Sequence, residues 1–240
     1  MINKKPYVIS GIAKETPDVT LFRFRAQDGS TLSFDPGMFI MLHYRNPQTG
    51  EEIGRAFSLA SRPDDTELEF AISMIHGKFT SKLDDAKIGD VYFVTGPYGQ
   101  FKYTPAENKK VLFVAGGTGL APFLSMLRLI GEKKYDTDVE LIYSIRHPEE
   151  IIRKQELEDY KKSMHFNYVV SVTRQETDED MRWQGEHGHI DAQMIERHVL
   201  DAAERTCYIC GPLKFTKAIE AALISLGVDK KNIKADVWGE

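Results

Sequence analysis

The run Val111-Leu-Phe-Val-Ala-Gly-Gly-Thr-Gly-Leu-Ala-Pro122 constrains the fold more than any other part of the chain. A strand-like apolar stretch enters a glycine turn and leaves it directly into an apolar helix candidate over residues 123–130. Glycines let the backbone turn sharply and approach a pyrophosphate, whose charge the free N–H groups of the following helix start can take up. The run therefore reads as a phosphate cradle on a strand–turn–helix unit. Gly116, Gly117 and Gly119 nevertheless stand closer together than in the Gly-x-Gly-x-x-Gly dinucleotide fingerprint, and Pro122 follows them.

Periodicity divides the chain near residue 105. Before it, residues 19–25 and 67–73 alternate apolar with polar side chains, and Gln27-Asp-Gly29 and Asp35-Pro-Gly37 read as turns. Short strands at such spacing suggest a small antiparallel barrel. After it, strand-like residues 111–115, 139–145, 166–173 and 206–210 alternate with helix candidates over 122–130, 149–160, 191–200 and 213–226. That alternation predicts a parallel sheet covered by helices on both faces. The polar, proline-containing segment over 103–110 separates the halves, giving expected domains of 1–105 and 106–240.

Bulk properties narrow the function. With 42% hydrophobic and 28% charged residues the 240-residue chain has an ordinary globular composition. A net charge of −5 argues against a nucleic-acid-binding surface. No apolar run is long enough to span a bilayer and no leader is visible at the N-terminus, so a cytoplasmic location is expected. Cys207 and Cys210 are the only cysteines, too few for the four thiolates of an iron–sulfur cluster. They lie three apart in a strand-like run, which points them to opposite faces and argues against a redox pair. His187 and His189 alternate on one strand face, but with no third ligand nearby no metal site is expected.

In the first half, Arg55-Ala56-Phe57-Ser58 sits in a strand-like stretch over 55–61 after the polar hairpin over 46–52. A guanidinium can grip a phosphate, an aromatic ring can lie against a flat ligand, and a hydroxyl can serve a ring nitrogen. Taken alone, the tetrapeptide reads more readily as an ordinary strand with a solvated arginine and a core phenylalanine. Gly77-Lys78-Phe79-Thr80-Ser81 leads a glycine into a hydroxyl pair, either of which can cap a helix start that is itself a phosphate site. Gly96-Pro-Tyr-Gly-Gln-Phe101 reads as a further tight turn ending in an aromatic.

With these motifs in this order, the chain resembles the ferredoxin–NADP+ reductase-like family of flavoprotein reductases. Arg55–Ser58 matches the family's flavin motif, Gly77-x-x-Thr80-Ser81 its FAD pyrophosphate motif, and Gly96-Pro-x-Gly99-x-Phe101 its barrel-closing turn. Gly116-Gly117-Thr118-Gly119-x-Ala-Pro122 matches its nicotinamide-dinucleotide motif, and Cys210-Gly211-Pro212 the motif beside the nicotinamide. The resemblance implies an FAD-binding antiparallel β-barrel followed by an α/β parallel-sheet NAD(P)-binding domain. It also implies hydride transfer from nicotinamide to the flavin N5, with electrons passed to a separate protein such as a ferredoxin, flavodoxin or oxygenase component. A free-flavin or small-molecule reductase, and an electron-transfer subunit fixed in a larger complex, are the alternatives.

By residue-for-residue match, Arg55 would bind the FAD pyrophosphate, Phe57 would pack near the isoalloxazine, Ser58 would reach toward N5, and Thr80 and Ser81 would complete the phosphate site. Gly117, Thr118 and Gly119 would approach the coenzyme pyrophosphate, and Cys210 would flank the nicotinamide. Relatives often end in a Glu-x-aromatic segment; here Asp236-Val-Trp238 offers a shorter carboxylate and a larger ring, with Trp238 expected over the flavin. Thr173-Arg174 matches the place where NADP-preferring relatives meet the 2′-phosphate, with Arg182 or His189 as a second basic residue, so NADPH is expected over NADH.

Overall fold

The structure, a computed structural model, describes residues 4–46 and 48–238, and of Trp238 the backbone alone. In the first half, strands β1 (Lys5–Lys14), β2 (Val19–Ala26), β3 (Phe39–Arg45), β4 (Glu52–Ser58), β5 (Glu67–Ser73) and β6 (Val91–Tyr98) form one antiparallel sheet. Its order is β4-β3-β6-β1-β2-β5. The sheet rolls until its two edges meet, with the rings of Phe57 on β4 and Phe70 on β5 6.2 Å apart. Alternation in β2 shows why: Phe22 and Phe24 fill the interior, while Val19 and Leu21 face outward. Those outward side chains, with Ala71, Phe101 and Tyr103, pack into the core of the second half.

In the second half, β7 (Lys110–Gly116), α1 (Ala121–Lys133), β8 (Asp138–Ile145), α2 (Lys154–Ser163), β9 (Phe166–Val172), α3 (Asp178–Arg182), β10 (Glu186–His187), α4 (Ala192–His198), β11 (Thr206–Pro212), α5 (Leu213–Ser225) and β12 (Ile233–Trp238) follow in turn. The sheet is parallel, in the order β10-β9-β8-β7-β11-β12. Val111, Phe113 and Ala115 of β7 pack toward α1, and Leu112 and Val114 toward α4 and α5. Both faces are thus covered, which is what a β-strand with no polar alternation requires. Cys207 and Cys210 belong to the clusters on opposite faces and form no disulfide. Burial pushes the Cys207 thiol up to about 12.

Three local expectations differ from the structure. The strand expected over 55–61 stops at Ser58, because the chain then crosses between sheet edges: Leu59 N donates to Met38 O and Ala60 N to Glu69 O. Gly96 lies inside β6 rather than in a turn, at a register irregularity opposite Phe39 and Met41. The helix expected over 149–160 is broken. A single turn at Pro148–Glu150 is followed by Arg153 at φ 53°, whose N–H donates to Glu15 Oε1 at 2.6 Å, and α2 begins only afterwards. A contact across the two halves overrides local helix propensity there.

The halves are also joined by charge. Glu69 of β5 accepts from Arg128 of α1 at 2.9 Å and from Arg153 at 2.6 Å, and Arg128 forks onto Glu156 of α2 at 2.6 and 2.8 Å. Burial works to raise the pKa of Glu69, but the two guanidinium groups outweigh it and hold the carboxyl below its ordinary value.

Candidate active site

The chain runs outward from β7 through β8 and β9, then crosses back to lay β11 on the other side of β7. Two strands that are neighbours in space and distant in sequence leave a crevice at their carboxyl ends, where open α/β sheets bind ligands. The turns that leave β7 and β11 are the two glycine motifs. After Gly116, residues Gly117–Leu120 make a single 3-10 turn that no side chain caps, and α1 starts with Pro122 in its first turn. No side chain takes up the N–H groups at the start of this turn, as an anion site at a helix start requires.

The glycines have separate reasons. Gly117 takes φ 55° with open space where a Cβ would stand, so it serves the turn. A Cβ on Gly119 would lie 2.2 Å from Cys210 O, so that glycine lets the two turns touch. Gly211 and Gly116 make room for the Phe215 ring in the same way. Thr118 is half-buried beside them, and Pro212 leads into α5.

On the barrel, β4 presents Arg55 and Ala56 exposed and Phe57 and Ser58 half-buried. The Phe57 ring packs on Phe70 and Phe79. Phe79 is buried in the barrel core, so only its backbone is open to a ligand. The Gly77–Ser81 turn is not closed by a capping side chain. Thr80 Oγ1 accepts from Gly77 N at 2.8 Å and Ser81 Oγ donates to Gly77 O at 2.8 Å around a three-residue 3-10 turn. The expectation that Thr80 or Ser81 caps a helix start is corrected accordingly: their hydroxyls staple the glycine instead. Lys78 and Ser81 open onto a cleft of about 460 Å³ that Tyr44 and Ile53 also line.

Ser58 from the barrel, Cys210 from β11 and Asp236 from β12 converge. Cys210 and Asp236 are register partners, with Sγ 3.9 Å from Asp236 Oδ2. Burial pushes the Asp236 carboxyl above its ordinary value, and a hydrogen bond with the Ser58 side chain pulls the other way. Trp238 pairs with Pro212 through the backbone, and its side chain lies outside the described residues. Thr173 and Arg174 follow β9 on the same carboxyl edge, tied back by Thr173 Oγ1 to Ile145 O at 3.0 Å and Arg174 N to Arg146 O at 3.0 Å.

Residues 6–103 match the oxidoreductase FAD-binding domain model and residues 113–221 the oxidoreductase NAD-binding domain model. The chain belongs to the ferredoxin reductase-like family of flavoprotein reductases. It is 30% identical over 234 residues to the glycine betaine monooxygenase reductase subunit of Chromohalobacter salexigens, covering 95% of this chain and 62% of that protein. The ferredoxin reductase in carbazole 1,9a-dioxygenase superposes with a TM-score of 0.85 at 26% identity, over 99% of this chain and 70% of that one. The flavohem-like FAD/NAD-binding domain of nitric oxide dioxygenase from Vibrio cholerae shares the fold, with a TM-score of 0.86 at 22% identity, over 98% of this chain and 99% of that one.

For a ferredoxin reductase-like protein the residues fit their groups. The Arg55 side chain makes no hydrogen bond or ion pair among the described residues, leaving its guanidinium for a phosphate. The uncapped turn after β7 has the opening and polarity a second pyrophosphate needs.

Reading the sequence alone missed two features. The Glu69–Arg128–Arg153–Glu156 cluster has no signal in a single sequence, because it joins three stretches far apart in the chain: Glu69, Arg128, and Arg153 with Glu156. The short helix α3 had one: Thr177-x-x-Asp180 forms a capping box in the structure.

Proposed function

We propose that this chain is the FAD-dependent reductase of an electron-transfer system, oxidising NAD(P)H and delivering electrons to a separate acceptor protein such as a ferredoxin, flavodoxin or oxygenase component. The chain spans about 62% of the length of the first curated relative it matches, so a whole-protein partner is part of the proposal. The observation that carries it is the meeting of Ser58, Cys210 and Asp236, a hydroxyl from the FAD-binding half and a thiol and carboxylate from the NAD-binding half. Residues 1–105 and 106–240 are proposed as the two domains, and the cytoplasm as the place of action.

FAD, when bound, supplies the redox chemistry by taking hydride from the nicotinamide and releasing electrons to the acceptor. The residues do the holding. Arg55, with the turn from Gly77 through Lys78, Phe79 and Thr80 to Ser81, grips the FAD phosphates, and Ala56 and Phe57 shape the strand beside the ring. Gly116, Gly117, Thr118, Gly119 and Pro122 receive the coenzyme pyrophosphate, and Cys210, Gly211 and Pro212 border its nicotinamide end. Ser58 sets a hydroxyl where the reacting ring is read to lie, and Asp236 holds that hydroxyl and the Cys210 thiol in register; the Trp238 side chain, outside the described residues, would be the aromatic that covers the ring. Ordering two reactants in contact is the main lever available to such a protein.

Ser58→Ala tests the reading. A group acting only at the reacting atoms slows the flavin bleaching rate at saturating coenzyme while leaving coenzyme affinity nearly unchanged. A wild-type rate removes Ser58 from the reaction. Reduction of an added ferredoxin at a rate far above that of free flavin supports the protein acceptor, and the reverse order rejects it.

A further inference from the structure

Resting on the reading of this carboxyl edge as the coenzyme site, we propose that Glu176 selects a dinucleotide with a free 2′-hydroxyl by occupying Arg174, so that the chain takes NADH in preference to NADPH.

The pair is a single contact, Arg174 Nη1 to Glu176 Oε1 at 3.0 Å, with both side chains more than half exposed. An exposed pair of that kind is worth little when both partners are free to wander. Here their backbones are fixed. Arg174 N is tied to Arg146 O at the end of β8. Glu176 N and Thr177 N both donate to Asp180 Oδ2, at 3.0 and 2.9 Å, and Asp180 N returns to Thr177 Oγ1 at 3.1 Å. Asp180 is fully buried, and His147 Nδ1 sits 3.0 and 3.1 Å from its two oxygens. The segment bearing Glu176 is therefore pinned to the same β8 terminus that holds Arg174, so the two side chains start from fixed backbones within reach of each other.

The other cations nearby are committed or balanced. Arg146 is bonded to Glu150 and, across the two halves, to Asp18. Arg182 lines a separate cleft of about 330 Å³ together with Lys154, Glu149 and Glu179, one carboxylate for each cation. Residues 174–182 carry four carboxylates, at Glu176, Asp178, Glu179 and Asp180, against the two guanidinium groups of Arg174 and Arg182. A phosphate monoester bears about −1.5 to −2 charge at neutral pH and would have to displace Glu176 from Arg174 inside that surplus. A ribose hydroxyl meets no such barrier. The preference for NADPH that Thr173-Arg174 suggests by itself is thereby reversed.

Calorimetric titration of the flavin-loaded protein with NAD+ and NADP+, wild type and Glu176→Gln in parallel, tests this without relying on turnover. Wild type is expected to bind NAD+ at least about tenfold more tightly, and Glu176→Gln to bring the two affinities within about threefold by tightening NADP+. Adding Arg174→Ala to Glu176→Gln should remove that gain. Wild type binding NADP+ as tightly as NAD+, or a ratio unmoved by Glu176→Gln, overturns the inference. Flavin bleaching by NADH in those preparations would show that the coenzyme-site reading survives such a result. Absence of both bleaching and binding overturns the two together.

Discussion

Asp236 Oδ2 lies 3.9 Å from Cys210 Sγ, and the two are register partners on adjacent parallel strands. The parallel pairing of β11 with β12 brings an aspartate to the crevice without the extra methylene of a glutamate. The same pairing takes Asp236 out of water, and burial raises its pKa against the Ser58 hydrogen bond.

Because the charged form of Asp236 is the costlier one in the folded state, its effect on stability has a definite sign. The cost is absent below the ordinary carboxylate range and sets in as pH rises through the raised folded value. Asp236→Asn should therefore melt above wild type at neutral pH, with the two curves converging as the pH falls to about 3. Thermal unfolding across that range is the check, and parallel curves would show that the carboxylate is not desolvated.

Arg55→Ala should weaken FAD binding by about tenfold to hundredfold, the worth of a charge-assisted hydrogen bond to phosphate, and leave the second half folded. Fluorescence titration of the flavin-free protein measures it. Unchanged affinity would mark Arg55 as a solvated strand residue.

Gly119 and Gly117 should respond differently to alanine. At Gly119 the added Cβ meets backbone atoms of Cys210 at 2.2 and 2.7 Å, which cannot swing aside, so a loss of about 1–3 kcal/mol and weaker coenzyme binding are expected. At Gly117 there is open space and the cost is the left-handed backbone alone, about 1–2 kcal/mol. Denaturant unfolding together with nicotinamide titration separates them. Equal loss of coenzyme binding in both variants would contradict the contact between the two turns.

Much of this architecture was legible because it is written locally. Glycine turns, alternating strands such as β2 and β5, and the strand–helix alternation after Lys110 follow from backbone chemistry and side-chain period. What was not legible is tertiary. Arg153 breaks a helical pattern because Glu15, far away in sequence, accepts from its N–H. The Arg174–Glu176 contact at 3.0 Å likewise depends on a side-chain placement that the motif Thr173-Arg174 does not announce. Thr80 and Ser81 look like caps until their hydroxyls are found on Gly77.

Glu69→Gln should loosen the join between the halves. Removing one partner of a buried ion cluster leaves the others unpaired and costs about 3–5 kcal/mol, seen as a lower denaturation midpoint. The depressed pKa of Glu69 fixes the pH dependence: its contribution is present above the ordinary carboxylate value and is lost as pH falls through the lowered one. Wild type should lose stability in that acid window more steeply than Glu69→Gln. Identical acid profiles would show that the cluster does not hold the halves.

The most direct test of the reductase account is an absorbance spectrum of the purified protein, followed by anaerobic stopped-flow mixing with NADH and NADPH in parallel. The account predicts a bound flavin, released by heat as FAD, whose visible band bleaches on mixing. A protein that takes up no FAD after reconstitution, or whose flavin stays oxidised with both coenzymes, contradicts it.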